Sequence, residues 1–291
     1  MKKFLKTLAV CFMGMVILVI AQLIGMGAGE LSALIIPEFA GGIIASVLYP
    51  ILTYYGLKVF CKKFLKTELS DLGIVKFSVN PIWCIVAVGL PLMVDILLIL
   101  TGGEWNILEC DIMPKLNIVI TGICLYSITG GIVEEMIFRG LIMGIIRKNY
   151  SIKPAVIIPS VLFGLAHLAN GKLDFISAIQ LIVAGTAVGI MFSLIMMNNN
   201  NFWNNALVHA IWNMSTIGLM HIGTEPFVSS ISASALFTFV LKSDNRLITG
   251  GNFGIESSFI AIAGYVIISI IAFLMIKKKG NLTNKKFSLT C

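Results

Sequence analysis

The run Gly130-Gly-Ile-Val-Glu-Glu-Met-Ile-Phe-Arg139 sets two adjacent carboxylates and a guanidinium inside an apolar stretch. Ionisable groups at bilayer depth cost about 2.5–3.5 kcal/mol each on insertion scales, so they mark candidate functional sites. His167, His209 and Asn213 stand in later apolar runs, and Asp95 in an earlier one. Residues four apart share a helix face. Glu135 and Arg139 are so spaced, with Glu N-terminal, the better order for an ion pair. Phe163 and His167 are also four apart, as are His209 and Asn213. Glu134 is turned about 100° from Glu135 on a helix and has no local counter-charge. It is the candidate general base, and Asp95 is expected to be structural, as another partner of Arg139.

A Glu facing a His across a helix pair activates water and returns the proton to a leaving amine. A second His with an Asn on the same face supplies donors for an oxyanion. Peptide hydrolysis by Glu134, His167, His209 and Asn213 is therefore coherent, with Glu135 and Arg139 in support. Two other readings use the same atoms. Glu134, His167 and His209 form a familiar zinc ligand set, although the H-E-x-x-H helix is absent. Glu, His and Asp also build proton relays in transporters. A transporter more often carries inverted repeats, and none is visible here.

These side chains need a scaffold, and the composition says which kind. Of 291 residues, 58% are hydrophobic and only 12% charged, with a mean hydropathy of +0.97. Soluble domains are about a quarter charged. The composition excludes a soluble enzyme, a disordered chain and a nucleic-acid-binding domain. The net charge of +7 fits cytoplasmic anchoring instead. A spanning helix needs about 20 apolar residues. Eight candidates run over 7–28, 38–58, 80–101, 116–146, 154–170, 174–197, 203–222 and 257–276. The prediction is an all-α polytopic transmembrane helical bundle. The first span is longer than the apolar core of a signal peptide and lacks a cleavage site.

With the N-terminus inside, sixteen of the 21 Lys and Arg fall in cytoplasmic segments and four in outer ones, with Arg139 inside a span. That asymmetry predicts eight spans with both termini cytoplasmic, in a cell membrane. Counting from the cytoplasmic helix ends at about 1.5 Å per residue puts Glu134 and His167 about 20 Å deep, His209 and Asn213 about 10 and 16 Å, and Asp95 about 22 Å. The residues share one slab, and its cavity is expected to open to the cytoplasm. Residues 1–114 are read as three N-terminal spans, 115–222 as the core with the motifs, and 223–291 as an outer loop, a last span and a basic tail. The stretch 231–241 is expected at the interface and Asn198–Asn201 as a turn. The six Cys show no pairing pattern, so neither a disulfide framework nor a zinc site is expected from them. Gly185 and Gly189 form a G-x-x-x-G that suits close helix packing, with a homodimer face as one use.

Glu134-Glu135-Met-Ile-Phe-Arg139 matches E-E-x-x-x-R, Phe163-Gly-Leu-Ala-His167 matches F-x-x-x-H, and His209-Ala-Ile-Trp-Asn213 matches H-x-x-x-N. In that order the motifs resemble the CPBP family of CAAX protease and bacteriocin-processing intramembrane proteases (Abi), which includes the type II CAAX prenyl endopeptidases. The resemblance covers residues 115–222. It implies a glutamate-dependent intramembrane endopeptidase without a cofactor, acting on a peptide or polypeptide substrate within the lipid bilayer. Glu134 and His167 would activate water, His209 and Asn213 would hold the oxyanion, and Glu135 and Arg139 would support the site. Older usage calls the family metalloproteases, which keeps zinc as an alternative. A non-catalytic bacteriocin-immunity or partner-binding role and a proton-coupled transporter are the competing readings.

Overall fold

The computed structural model describes residues 2–109, 111–170, 172–224 and 235–280. Cys110, Cys291, Lys285, Lys286 and the part of the expected interfacial stretch before Ala235 lie outside them. The chain is 78% helical. The elements are α1 (Lys2–Ser32), α2 (Glu38–Phe60), α3 (Pro81–Ile99), β1 (Gly103–Ile107), α4 (Ile112–Asn149), α5 (Ile152–Ala166), α6 (Phe175–Asn199), α7 (Phe202–Thr216), β2 (Gly218–Gly223), β3 (Ala235–Leu241) and α8 (Phe259–Lys278). Cys11, Cys61, Cys84 and Cys124 are free thiols.

Local chemistry sets the boundaries. Pro81 opens α3, and the Asn80 side chain accepts from the Ile82 amide, as befits Pro at the first helical position and Asn at the cap. Asp174 caps α6 through Ser177, and Asn201 caps α7 through Trp203. Between those helices Asn200 takes a left-handed conformation at φ 49°, so Asn198–Asn201 makes the expected turn. The Asp174 carboxyl is held below its usual range by hydrogen bonds from Ser177 and then from Arg246.

Among the described residues, seven helices are long and apolar enough to cross a membrane. The segment expected to span over 203–222 folds otherwise. Its helix α7 has 15 residues, about 22 Å against a hydrocarbon thickness of about 30 Å, and the chain then enters β2. The reason is its surroundings. Asn204, Asn205, His209 and Trp212 are buried, so α7 is enclosed by helices rather than lipid and needs no apolar length of its own. The all-α bundle holds, and beside it the described residues include a small three-stranded sheet in the order β1-β3-β2. Its β1–β3 pair is antiparallel and its β2–β3 pair parallel.

Contacts gather the segments richest in lysine at one end. Thr7 meets Asn149, Asp71 meets Lys148, Asn200 meets Arg147 and Asn199 meets Lys279. The opposite end holds the sheet and the Asp174–Arg246 pair. Gly185 and Gly189 do not form a dimer face. A Cβ on Gly185 would lie 2.5 Å from Gly164 Cα, and one on Gly189 2.7 Å from Ser160 Cα. Both glycines are spent on the close approach of α6 to α5 within the chain.

Candidate active site

Helix α4 carries the two carboxylates and passes against α7. Gly131 sets the separation: a Cβ there would lie 2.9 Å from the Ala210 nitrogen and 3.1 Å from the Ala206 oxygen. With no side chain at Gly131, the next turn of α4 lies beside His209. The chain on both sides of Gly130–Glu135 is wound as π-helix, over Thr121–Thr129 and Met136–Met143. Such widened turns recur at functional sites.

Glu135 and Arg139 form the expected pair. Arg139 Nη1 donates to Glu135 Oε1 at 2.9 Å, and both side chains are 0% exposed. Arg139 Nη2 donates to the Gly189 carbonyl. The guanidinium lies 4.6 Å from the Phe163 ring and 5.0 Å from the Phe192 ring. A buried charge is tolerated when paired and hydrogen-bonded, and these aromatic faces add cation–π attraction. Asp95 takes no part. Its Oδ1 is buried without a hydrogen-bond partner, and it lies on α3, which packs on α7 and α8. Arg139 is directed instead towards α6 and the two rings, so the expected Asp95–Arg139 contact is absent.

The two histidines are oriented by different partners. His167 stands just past the end of α5, where its Nδ1 lies 2.8 Å from the Phe163 carbonyl. A carbonyl only accepts, so Nδ1 carries the hydrogen and, in the neutral ring, Nε2 keeps the lone pair. His209 Nδ1 lies 3.1 Å from Glu135 Oε1. Paired with Arg139, that carboxylate is an acceptor, so Nδ1–H donates and Nε2 again faces away. The Phe192 ring stacks on His209 at 4.9 Å, and Phe163 lies 4.4 Å from His167. Phe163, four residues before His167, thus fixes it through both its carbonyl and its ring.

Both Nε2 atoms point at one oxygen. Glu134 Oε2 is 3.9 Å from His167 Nε2 and 3.9 Å from His209 Nε2. That oxygen is buried with no hydrogen-bond partner, although the Glu134 side chain is 27% and the His167 side chain 18% exposed. The sequence reading missed Asn205. Its Nδ2 donates to Glu135 Oε2 at 3.3 Å and to the Phe192 carbonyl at 2.8 Å. Asn213 lies farther along the same face, and its Nδ2 donates to the Tyr126 carbonyl rather than to Glu134 or either imidazole.

Glu134 Oε2 stands 3.9 Å from each Nε2. Bonds of about 2.0–2.2 Å would bring tetrahedral ligand atoms to about 3.4 Å of one another. Among the described residues no group of three or more His, Cys, Asp or Glu is arranged to hold a metal ion.

Residues 116–215 match the family model described as type II CAAX prenyl endopeptidase Rce1-like. The match supports a CPBP/CAAX protease family assignment. It spans α4 to α7 and therefore every residue of the E-E-x-x-x-R, F-x-x-x-H and H-x-x-x-N motifs. No curated protein and no solved structure gives a significant match. Seven helices long and apolar enough to cross a membrane accompany this match among the described residues, as in a multi-pass membrane protein.

Proposed function

We propose that the chain is an intramembrane endopeptidase that hydrolyses a peptide bond of a peptide or membrane-associated polypeptide, with Glu134 and His167 activating water. One observation carries this reading: the buried, unpartnered Oε2 of Glu134 faces the Nε2 atoms of both His167 and His209 at equal distance. Separations of 3.9 Å are too long for direct hydrogen bonds and suit groups that act on one another through a shared water.

Proton accounting assigns the roles. With both imidazoles neutral, Glu134, Glu135 and Arg139 sum to one negative charge, and the three converging atoms are all acceptors. One further proton neutralises the group, which burial favours. It resides on His209, which stands between the two carboxylates. Water then gives a proton to the Glu134 carboxylate while its oxygen attacks the peptide carbonyl carbon, with His167 accepting the second water hydrogen bond. The oxyanion takes hydrogen bonds from protonated His209 Nε2 and from the remaining N–H of Asn213. As the C–N bond breaks, Glu134 delivers its proton to the leaving amine. Nothing in this sequence draws on a cofactor.

The test is cleavage of a fluorogenic peptide library by purified protein in detergent, beside Glu134→Gln. Cleavage by wild type that disappears in Glu134→Gln supports the mechanism. Full activity in that variant overturns it. A variant that protects cells from a bacteriocin as well as wild type, with no cleavage by either, would favour a binding role.

A further inference from the structure

We propose that Tyr49 is a positioning residue for the reaction: its phenol hydroxyl donates, through one bridging water, to Oε1 of Glu134, the carboxylate oxygen not shared between the two imidazoles. This rests on the protease reading and deepens it. Tyr49 stands on α2, outside the matched segment 116–215.

Helices α2 and α4 run the same way past one another. Helix α2 ends at Phe60, just before Lys62 and Lys63. Helix α4 ends at Asn149, which meets Thr7 at the lysine-rich end. One hydrogen bond ties the two helices: the buried Thr129 hydroxyl donates to the Ser46 carbonyl at 2.7 Å. From that tie towards the lysine-rich end, Tyr49 lies three residues along α2 and Glu134 five along α4. At about 1.5 Å per residue they stand within about 3 Å in height. Helix α2 also packs against the Gly130–Glu135 turns themselves, and the charge of Glu134 acts on the Tyr49 hydroxyl.

The hydroxyl has no other use. Tyr49 is only 7% exposed, and α1 presses on its root: a Cβ on Gly25 would lie 3.0 Å from Tyr49 Cβ. Among the described residues the hydroxyl has no hydrogen-bond partner, yet its oxygen is not sealed from water. Enclosed polar groups are ordinarily satisfied, and packing alone would be served by phenylalanine. Glu134 is the counterpart. Its Oε2 is buried and faces the imidazoles, whereas Oε1 is neither sealed nor bonded within the described residues. The phenol has a hydrogen to give and no acceptor, and Oε1 has lone pairs and no donor. A water joins such a pair almost as well as direct contact. The other titratable and charged groups around Glu134 are His167 from α5, His209 from α7, and Glu135 and Arg139 on its own helix. Tyr49 meets the carboxylate from the α2 side. With Oε1 held there, the carboxylate does not rotate, and Oε2 is the oxygen that takes the proton of the attacking water.

The experiment compares Tyr49→Phe with wild type on a peptide that wild type cleaves, reading kcat, KM, Tm and the pH dependence of kcat. The ring stays and the hydroxyl goes. We expect kcat to fall about tenfold, the scale of one hydrogen bond to a charged group, with KM and Tm unchanged. Losing a donor to the charged carboxylate makes that form harder to keep, so the acid limb of kcat moves to higher pH. Unchanged kcat overturns the proposal. So does a lower kcat with an unmoved acid limb, which is a packing effect, and so does a Tyr49→Phe protein that fails to fold, which makes the hydroxyl structural. Full activity in Tyr49→Phe beside an inactive Glu134→Gln overturns the positioning role and leaves the protease reading intact. Wild type that cleaves no library peptide overturns both.

Discussion

His167 and His209 present their Nε2 atoms to the same oxygen of Glu134, each at 3.9 Å, yet they are held in very different ways. His167 is bonded to a carbonyl of its own helical turn, while His209 is tied through Glu135 to a buried ion pair. Chemistry shared by the two rings is thus separable from stability, which depends on one of them. His167→Gln should lower kcat by about 10²–10⁴-fold, the range for general acid–base groups, with Tm nearly unchanged. His209→Gln should lower both. Equal Tm losses in parallel melts of the two variants would contradict the assignment.

Removing one member of a buried ion pair leaves the other charge uncompensated, at a cost of about 3–5 kcal/mol. Glu135→Gln should therefore destabilise the protein at least as much as it slows cleavage. Arg139→Lys should fail to rescue, because a lysine cannot reproduce the guanidinium's contacts with Glu135, the Gly189 carbonyl and two aromatic rings. Thermal melts and cleavage rates on the same preparations check this. A stable but inactive Glu135→Gln protein would move Glu135 into the catalytic set.

Asn205 braces Glu135 from the side opposite Arg139. Asn205→Leu leaves one oxygen of a buried carboxylate without that donor, a cost of about 1–3 kcal/mol. The expected result is a lower Tm with partial activity. An unchanged Tm would remove Asn205 from the support of the site.

Gly131 sets how closely α4 approaches α7. In Gly131→Val the added side chain meets the backbone of Ala206 and Ala210, so the helices separate and Glu134 moves from His209. A kcat at least tenfold lower is expected, with a smaller loss in Gly131→Ala. Wild-type kcat in Gly131→Val would show that this contact does not position the site.

The spacing of the three donor atoms carries a prediction about metal. EDTA should leave the cleavage rate unchanged, and added zinc should not raise it. A rate abolished by chelator and restored by zinc would require Glu134, His167 and His209 to close around an ion.

Much of this site is legible in the sequence because helical spacing and depth are simple rules. The Glu135–Arg139 pair follows from a spacing of four, and the meeting of Glu134 with His167 from counting residues inward along their helices; the same count set His209 about 10 Å shallower than Glu134, because it took the start of the buried helix α7 as a membrane face. Asn205 escaped, although it stands four residues before His209 in the stripe Asn205–His209–Asn213. Hydropathy drew attention to charge and passed over an amide. The short α7 escaped for a related reason: a hydropathy window registers how apolar a segment is, not whether lipid or protein surrounds it. The glycine motif at Gly185 and Gly189 was visible, but its partner on α5 was not, because spacing alone does not say which helix faces it. The β1–β3 pairing joins residues more than a hundred apart, beyond the reach of local periodicity.

The contact between α5 and α6 has a mechanical consequence. Gly164, Gly185 and Gly189 bring the two backbones together, so the pair behaves as a single girder rather than two rods. His167 projects only three residues beyond Gly164. It is a short cantilever with its clamp close behind it, and a short cantilever has little travel at its tip.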